Sequence, residues 1–458
     1  MDVEELLDFE REDPLAPSPV AARKRKKVIG LDDLLTDYYK ERSKNVEKEA
    51  KKPAKAPKNY NSDEDETGKE AKLSEIVNLC QKQMKEMSSE EEISHWGIRV
   101  FGNQKTPPPS VFPELEGCSL LQSFVNSELN SLVGLTAETG CSFLEGLLIN
   151  GWLSRLVFKC GYLEKSIATW TFNMMLYSSK EEVSSSACDF WCSILSPINE
   201  VGKLPIKIEW LPTYMDLKRA LETYGFLFNF SSNPESVNPG SDGKGPPQNI
   251  GSWFKITTAC CQVRDKQSIF LTSEAEELVE VIVWQFLDHQ LQGLSVVMYN
   301  CMQSALSYFS ADEWNTSCAK IANSLACRIP RDLNCLRAVE CISGSDTHSK
   351  QLRSALAFQV LVNCLEKKAT DEEGILNTLI SLNVKEKDND FFKMYIYLVL
   401  TENWLLYDKK LEDKPVIMEM WGLFLRNCSC QISSMDLRSY ASKVRSKASF
   451  LLQGTCCK

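Results

Sequence analysis

The side chains best able to bind a metal or attack a substrate are three histidines, His95, His289 and His348, and eighteen cysteines. Their spacing argues against both uses. Each histidine stands in a different segment, and none stands with a cysteine or carboxylate in a recognised ligand spacing. A zinc site would want paired ligands such as Cys-x-x-Cys, and the sequence contains none. Cys188 and Cys192 lie one helical turn apart, but Phe190 and Trp191 stand between them and no second pair is near, so the pair reads as core packing. Cys428 and Cys430 read the same way. Gly243-Lys244 is followed by Gly245 where a phosphate loop needs Ser or Thr, and no strand precedes it. No Gly-x-Ser-x-Gly elbow occurs, and acidic pairs such as Glu276 and Glu280 read as solvent-facing helix charge. Cys456-Cys457-Lys458 lacks the cysteine that a prenylation box would need at Thr455. No catalytic, cofactor-binding or metal-ligating residue is therefore nominated, no cofactor is expected, and the chain is not expected to be an enzyme.

The elements around these residues are helical. Ser310 followed by Glu313 is a capping box, with Trp314, Cys318, Ile321 and Leu325 along one side of the helix that should follow. Pro330 ends it. Leu333, Leu336, Val339 and Ile342 then run into Gly344, and a third helix is predicted to open around Lys350 with Leu352, Leu356, Phe358, Leu361 and Val362. Ser273 and Glu276 suggest another capping box, opening a long apolar helix to about Leu287 that Leu291 to Phe309 continues. Strict two-residue alternation is scarce, and Ile206 to Trp210 is its nearest approach. The fold class is all-α, an irregular HEAT-like helical scaffold, since stacked helix pairs of that kind leave little exact repeat in the sequence.

Composition sets further bounds. The 458 residues carry 43% hydrophobic side chains and a net charge of −10, which argues against general coating of nucleic acid. The apolar runs, such as Met394 to Leu400, are far short of the roughly 20 residues a membrane-spanning helix requires. Asp2, Glu4 and Glu5 open the chain with the wrong charge for a secretory signal, so the cysteines are read as reduced and buried, and the Asn315-Thr316-Ser317 sequon as irrelevant.

Along the chain, residues 1–72 are charged, proline-broken and too poor in apolar side chains to fold alone, which predicts a disordered N-terminal docking arm. Two apolar islands interrupt it: Val3, Leu6, Leu7 and Phe9, then Ile29, Leu31, Leu34, Leu35, Tyr38 and Tyr39. The second, with Asp32 and Asp33 suited to a first helical turn, is expected to order only against a partner, and Leu31, Leu34, Leu35, Tyr38 and Tyr39 form the candidate partner-docking motif. Between the islands, Arg23, Lys24, Arg25, Lys26 and Lys27 form a candidate nuclear-import motif. Ser62 precedes four acidic residues, a context suited to phosphorylation. A helix and a proline-rich linker follow at 73–114, and the body is expected to begin near Leu115. Its N-terminal half spans 115–230, a flexible loop 231–249, and its C-terminal half 250–458. Trp253, Phe254 and Lys255 after the loop, and the cations Arg438, Lys443, Arg445 and Lys447 near the C-terminus, are candidate exposed positions.

The stretch FSADEWNTSCAKIANSLACRIPRDLNCLRAVECI with QLRSALAFQVLV, Phe309 to Val362, resembles the CANIN-domain family, the coiled-coil Smc and Nse interacting proteins. Similar wording occurs at Tyr162 to Leu195, Leu211 to Phe226 and Ser439 to Gln453, so the resemblance covers most of the body from about Leu120. It is a resemblance of pattern and carries no catalytic signature. It implies a non-SMC element six-like, non-catalytic subunit of the Smc five-six chromosome complex, acting in chromatin loading and DNA-damage repair in the nucleus. The partners implied are a non-SMC element five/SNI-type subunit, as a heterodimer, and the Smc five-six core. DNA contact would be indirect, and no membrane is involved. A generic HEAT-like adaptor unrelated to chromosomes is the alternative.

Overall fold

Helices begin where short polar side chains satisfy the first unpaired amides, and Thr213, Asp288, Ser310, Asp332, Asp346 and Asp371 each do so here. The computed structural model describes residues 96–109, 111–114, 117–126, 141–196, 206–228, 245–264, 268–366, 369–386, 389–407 and 414–455, all within one unit, Gln81–Lys458. Among them lie sixteen α-helices and a two-residue strand pair. The first run is α1 (Ser119–Val125), α2 (Cys141–Ile149), α3 (Trp152–Cys160), β1 (Tyr162–Leu163), α4 (Lys165–Tyr177), α5 (Glu181–Leu195), β2 (Lys207–Ile208), α6 (Tyr214–Thr223) and α7 (Ile250–Gln262). The second is α8 (Thr272–Phe286), a 3-10 helix (His289–Leu294), α9 (Ser295–Ser307), α10 (Ala311–Arg328), α11 (Leu333–Glu340), α12 (Thr347–Cys364), α13 (Glu372–Ser381), α14 (Phe391–Tyr407), α15 (Pro415–Gln431) and α16 (Ala441–Thr455).

The protein is an all-α, irregular HEAT-like scaffold, and the packing shows how it is built. Helices contact the one two places along: α5 on α7, α7 on α9, α8 on α10, α10 on α12, α12 on α14, α14 on α16 and α13 on α15. That alternation is what stacked helix pairs produce. A single apolar core runs from Ile98 to Ala448. Because α12 lies between α10 and α14, it buries residues on several sides, among them Leu352, Ser354, Leu356, Val360 and Leu361. Trp314 of α10 shows the density of this region, its ring lying 5.2 Å from Phe309 and stacked 4.6 Å from His348.

The capping box read at Ser310 forms. The Ser310 hydroxyl accepts from the Glu313 amide at 3.4 Å, and the Glu313 carboxylate accepts from the Ser310 amide at 3.0 Å. The helix stops at Arg328, before Pro330. The third helix of the stretch begins at Thr347, earlier than Lys350, because Asp346 caps it by accepting from the Ser349 amide at 3.0 Å.

Elsewhere the structure corrects the sequence. The box at Ser273 and Glu276 does not form: α8 starts at Thr272, and Glu274 accepts from the Leu271 amide at 2.8 Å. Glu276 instead accepts from the Ser317 hydroxyl at 2.7 Å, and Glu280 pairs with Arg328, so these carboxylates tie α8 to α10 and do not face solvent. The apolar run from Glu274 to Phe309 is not continuous helix either. It breaks at Leu287, where Asp288 caps the 3-10 helix by accepting from the Gln290 amide at 2.9 Å. Trp253 and Phe254 are buried, the Trp253 indole donating to the Leu217 carbonyl at 3.0 Å. Lys207–Ile208 does form a strand, parallel to Tyr162–Leu163.

Candidate interaction surface

Extended residues that alternate apolar and polar can lie along a helical body and give their amides to it. Residues 96–109 do this as a strap. The amide of Gly97 donates to Asn334 Oδ1 of α11 at 2.7 Å, and that of Ile98 to the Leu287 carbonyl at 2.8 Å. The Val100 amide donates to Asp288 Oδ2 at 3.0 Å, and those of Gly102 and Lys105 to the carbonyls of Gly225 and Thr223, both at 2.8 Å. Ile98, Val100 and Phe101 are buried, and Phe101 bridges Phe226. The packed body thus reaches upstream of Leu115. The strap joins α11, the turn after α8 and the segment after α6.

Two glycines make the close approach feasible. Gly97 has φ +117°, and a Cβ there would collide with the His289 imidazole. Gly225 has φ +89°, and its Cβ would sit 2.6 Å from the Asn103 carbonyl oxygen. Trp96 closes the end of the strap, its ring 3.9 Å from that of His289 and 5.2 Å from the Arg337 guanidinium, with its carbonyl bonded to His289 Nε2. Burial pushes the Asp288 carboxyl above the usual aspartate range, although the Gln290 and Val100 amides favour its charge.

The cations near the C-terminus are largely occupied by the body itself. Lys447 pairs with Glu402 at 2.7 Å. Arg438 lies before α16, pairs with Asp436 at 2.7 Å, donates to the Glu386 carbonyl at 2.6 Å and covers the Phe391 ring at 4.4 Å. Lys443 sits 4.7 Å from the Tyr440 ring centroid, and burial lowers its pKa below the ordinary lysine value. Arg445 is half-buried. Sequence reasoning missed that several apolar residues remain outside, among them Val416, Met418 and Leu423 on α15, Met435 and Leu437 after it, and Phe450 on α16. Val416 and Leu423 lie seven residues apart, opposite the buried Ile417, Trp421, Phe424 and Leu425, a second stripe that the dominant one hides.

Open clefts on the described surface include three. One of about 390 Å³ between α10, α12 and α14 has Phe358 and Trp404 beside Gln351 and Gln359, with Lys350 and Glu372 as its charged groups. Another, about 630 Å³, is lined by Arg264, Gln303, Tyr308 and Ser310. The third, about 250 Å³, holds Cys192 and Lys255 between α5, α7 and α9. Of the other residues singled out from sequence, Cys188 and Cys428 are buried, Cys192 is half-buried and Cys430 exposed. His348 bonds through Nδ1 to the Leu306 carbonyl at 2.9 Å. The candidate import motif Arg23 to Lys27, the candidate docking motif Leu31, Leu34, Leu35, Tyr38 and Tyr39, Ser62, His95 and Gly243-Lys244 lie outside the described residues. No helix among the described residues is long and apolar enough to cross a membrane. Comparison with family models and with curated proteins finds no match for the chain.

Proposed function

We propose that this chain is a non-catalytic scaffold subunit of the Smc five-six chromosome complex. In this reading it pairs with a non-SMC element five/SNI-type partner, promotes chromatin loading and DNA-damage repair, and works in the nucleus. One observation carries the reading. The stretch through which the chain resembles the CANIN-domain family, Phe309 to Val362, is the run of three consecutive capped helices α10 to α12. A chain of stacked helices offers long side-by-side surfaces, which suits a subunit whose work is contact.

In this reading the N-terminal segment, by its length, supplies reach. An extended chain covers about 3.3 to 3.6 Å per residue, so a motif upstream of Trp96 can meet a partner surface distant from the strap. Leu31, Leu34, Leu35, Tyr38 and Tyr39 are assigned to that contact, and Arg23 to Lys27 to nuclear import. Affinity purification of the full chain from native nuclei, read by mass spectrometry, is the direct test. Co-recovery of the two Smc subunits and a non-SMC element partner is expected. Recovery of partners unrelated to chromosomes would replace this reading with a generic adaptor. Replacing the five docking residues by Ala or Ser should leave thermal unfolding of the body unchanged and weaken the co-recovery; undiminished assembly refutes the assignment.

A further inference from the structure

The fastening of the strap runs into a sequence of different character. Lys105 donates its amide to the Thr223 carbonyl at 2.8 Å, and Thr106-Pro107-Pro108-Pro109 follows. A proline has no amide hydrogen, so residues 107–109 have none to give to the body. Residues 103–109 are all exposed. Beyond them the chain meets the core at Phe112, whose half-buried ring lies 6.2 Å from that of Trp170. We propose that Thr106 is a phosphorylation site for a proline-directed protein kinase, and that the phosphate unfastens the Lys105 end of the strap.

A kinase cleft takes its substrate as an extended segment, and one that selects proline after the acceptor exploits the missing amide there, which no pairing has to satisfy. The same proline confines Thr106 to extended backbone. Thr106 is thus presented in the required shape, with the three residues on either side exposed. Ser196 also precedes a proline, but it is half-buried at the end of α5. Ser18, which precedes another, lies outside the described residues. The transfer balances with Mg-ATP as co-reactant. The Thr106 hydroxyl oxygen attacks the γ-phosphorus, the new O–P bond forms as the bond to the β,γ-bridging oxygen breaks, ADP leaves, and the hydroxyl proton passes to the catalytic aspartate of the kinase.

The position decides what the phosphate does. Thr223 is the last residue of α6, so the carbonyl that holds Lys105 belongs to the negative end of that helix. A group of about −1.5 to −2 charges one residue along the chain is repelled by such an end. Glu222, beside Thr223 in sequence, adds the same sign. Arg219, one turn earlier on α6, is paired with Asp216 at 3.5 Å. Lys105 is the adjacent cation, and successive side chains of an extended segment point to opposite sides. The next fastenings are the Gly102 amide on the Gly225 carbonyl at 2.8 Å and the Leu227 amide on the Val100 carbonyl at 3.0 Å, which hold the strap to the same turn after α6.

The test uses the full chain, a purified kinase of the cyclin-dependent class, Mg-ATP and peptide mass spectrometry. Thr106 should take phosphate ahead of Ser196, Thr106→Ser should still be modified at that position, and Thr106→Ala should not. In the phosphorylated chain the amides of Gly102 and Lys105 should exchange hydrogen about twofold to thirtyfold faster, with those inside α12 unchanged. Salt at about 1 M, where the screening length is about 3 Å, should reverse most of that gain. In chain recovered from cells with phosphatase inhibitors, Thr106 should carry phosphate. Modification of Ser196 before Thr106, or absence of the phosphate from dividing, resting and irradiated cells alike, would overturn the assignment of the site. Unchanged protection at Gly102 and Lys105, or faster exchange that persists in the high salt, would overturn the unfastening by repulsion.

Discussion

Replacing Gly97 with Ala should unfasten the strap without unfolding the helices. At φ +117° an alanine is strained by about 1 to 3 kcal/mol. Its Cβ would also displace the His289 ring, which then gives up its bond to the Trp96 carbonyl, about another 1 kcal/mol. Together these weaken the closed strap by about 2 to 4 kcal/mol, or about thirtyfold to a thousandfold in its opening equilibrium. Native-state hydrogen exchange reads this at the amides of Ile98, Val100, Gly102 and Lys105, each of which donates to the body at 2.8 to 3.0 Å. Those four should exchange faster by that factor, while amides inside α12 and α14 keep their rates. If all four keep their protection, Gly97 does not fix the strap and the steric argument is wrong.

Two further outcomes follow from local geometry. Gly146 lies inside α2 with nothing within 4 Å of a Cβ, so Gly146→Ala should raise stability by about 0.5 to 1 kcal/mol in urea unfolding; a loss would show hidden crowding. The Ser310 amide and hydroxyl, with Arg264 and Thr272, hold the Glu313 carboxyl down to about 2 from an ordinary 4.5. A depressed carboxylate stabilises the fold fully above its unfolded value and loses that contribution as pH falls toward the folded one. The stability gap between the wild-type chain and Glu313→Gln should therefore be full at pH 7 and close between about pH 4.5 and 2. A gap of constant size across that window would refute it.

Where the determinants were local, the sequence was sufficient. Ser310 and Glu313 cap one another three residues apart, and Pro330 cannot continue a helix, so α10 needed no tertiary information for its bounds. The break at Leu287 was invisible because apolar residues continue through it and Asp288 is fixed partly by the distant Val100 amide. Trp253 and Phe254 follow a Pro/Gly-rich stretch and so looked exposed, yet α7 lies against α4, α5, α6 and α9. Glu276 and Glu280 share one helical face, and only the position of α10 decides that this face is an interface. Ile98 and Val100 alternate as an extended segment should, but the prolines that follow at 107–109 drew attention to a linker. Cys192 and Lys255 line one cleft only because α7 packs on α5, which neither residue's own segment reveals.

The distribution of positive charge gives these observations a common direction. In a chain of net charge −10, described cations such as Arg264, Arg328, Lys414 and Lys447 are paired with Glu313, Glu280, Glu372 and Glu402, all within the body. A polyanion gains affinity by releasing counterions to clustered, available cations, and cations already paired contribute little to that. The densest cationic run in the sequence is Arg23 to Lys27, upstream of the strap. On the proposed reading, attraction to a polyanion or an import receptor falls to that run, and Val416 and Leu423 remain exposed on the body. On that division, neutralising Arg23 to Lys27 should alter where the chain goes in the cell, whereas the packing that fixes α10 to α12 should not register the change.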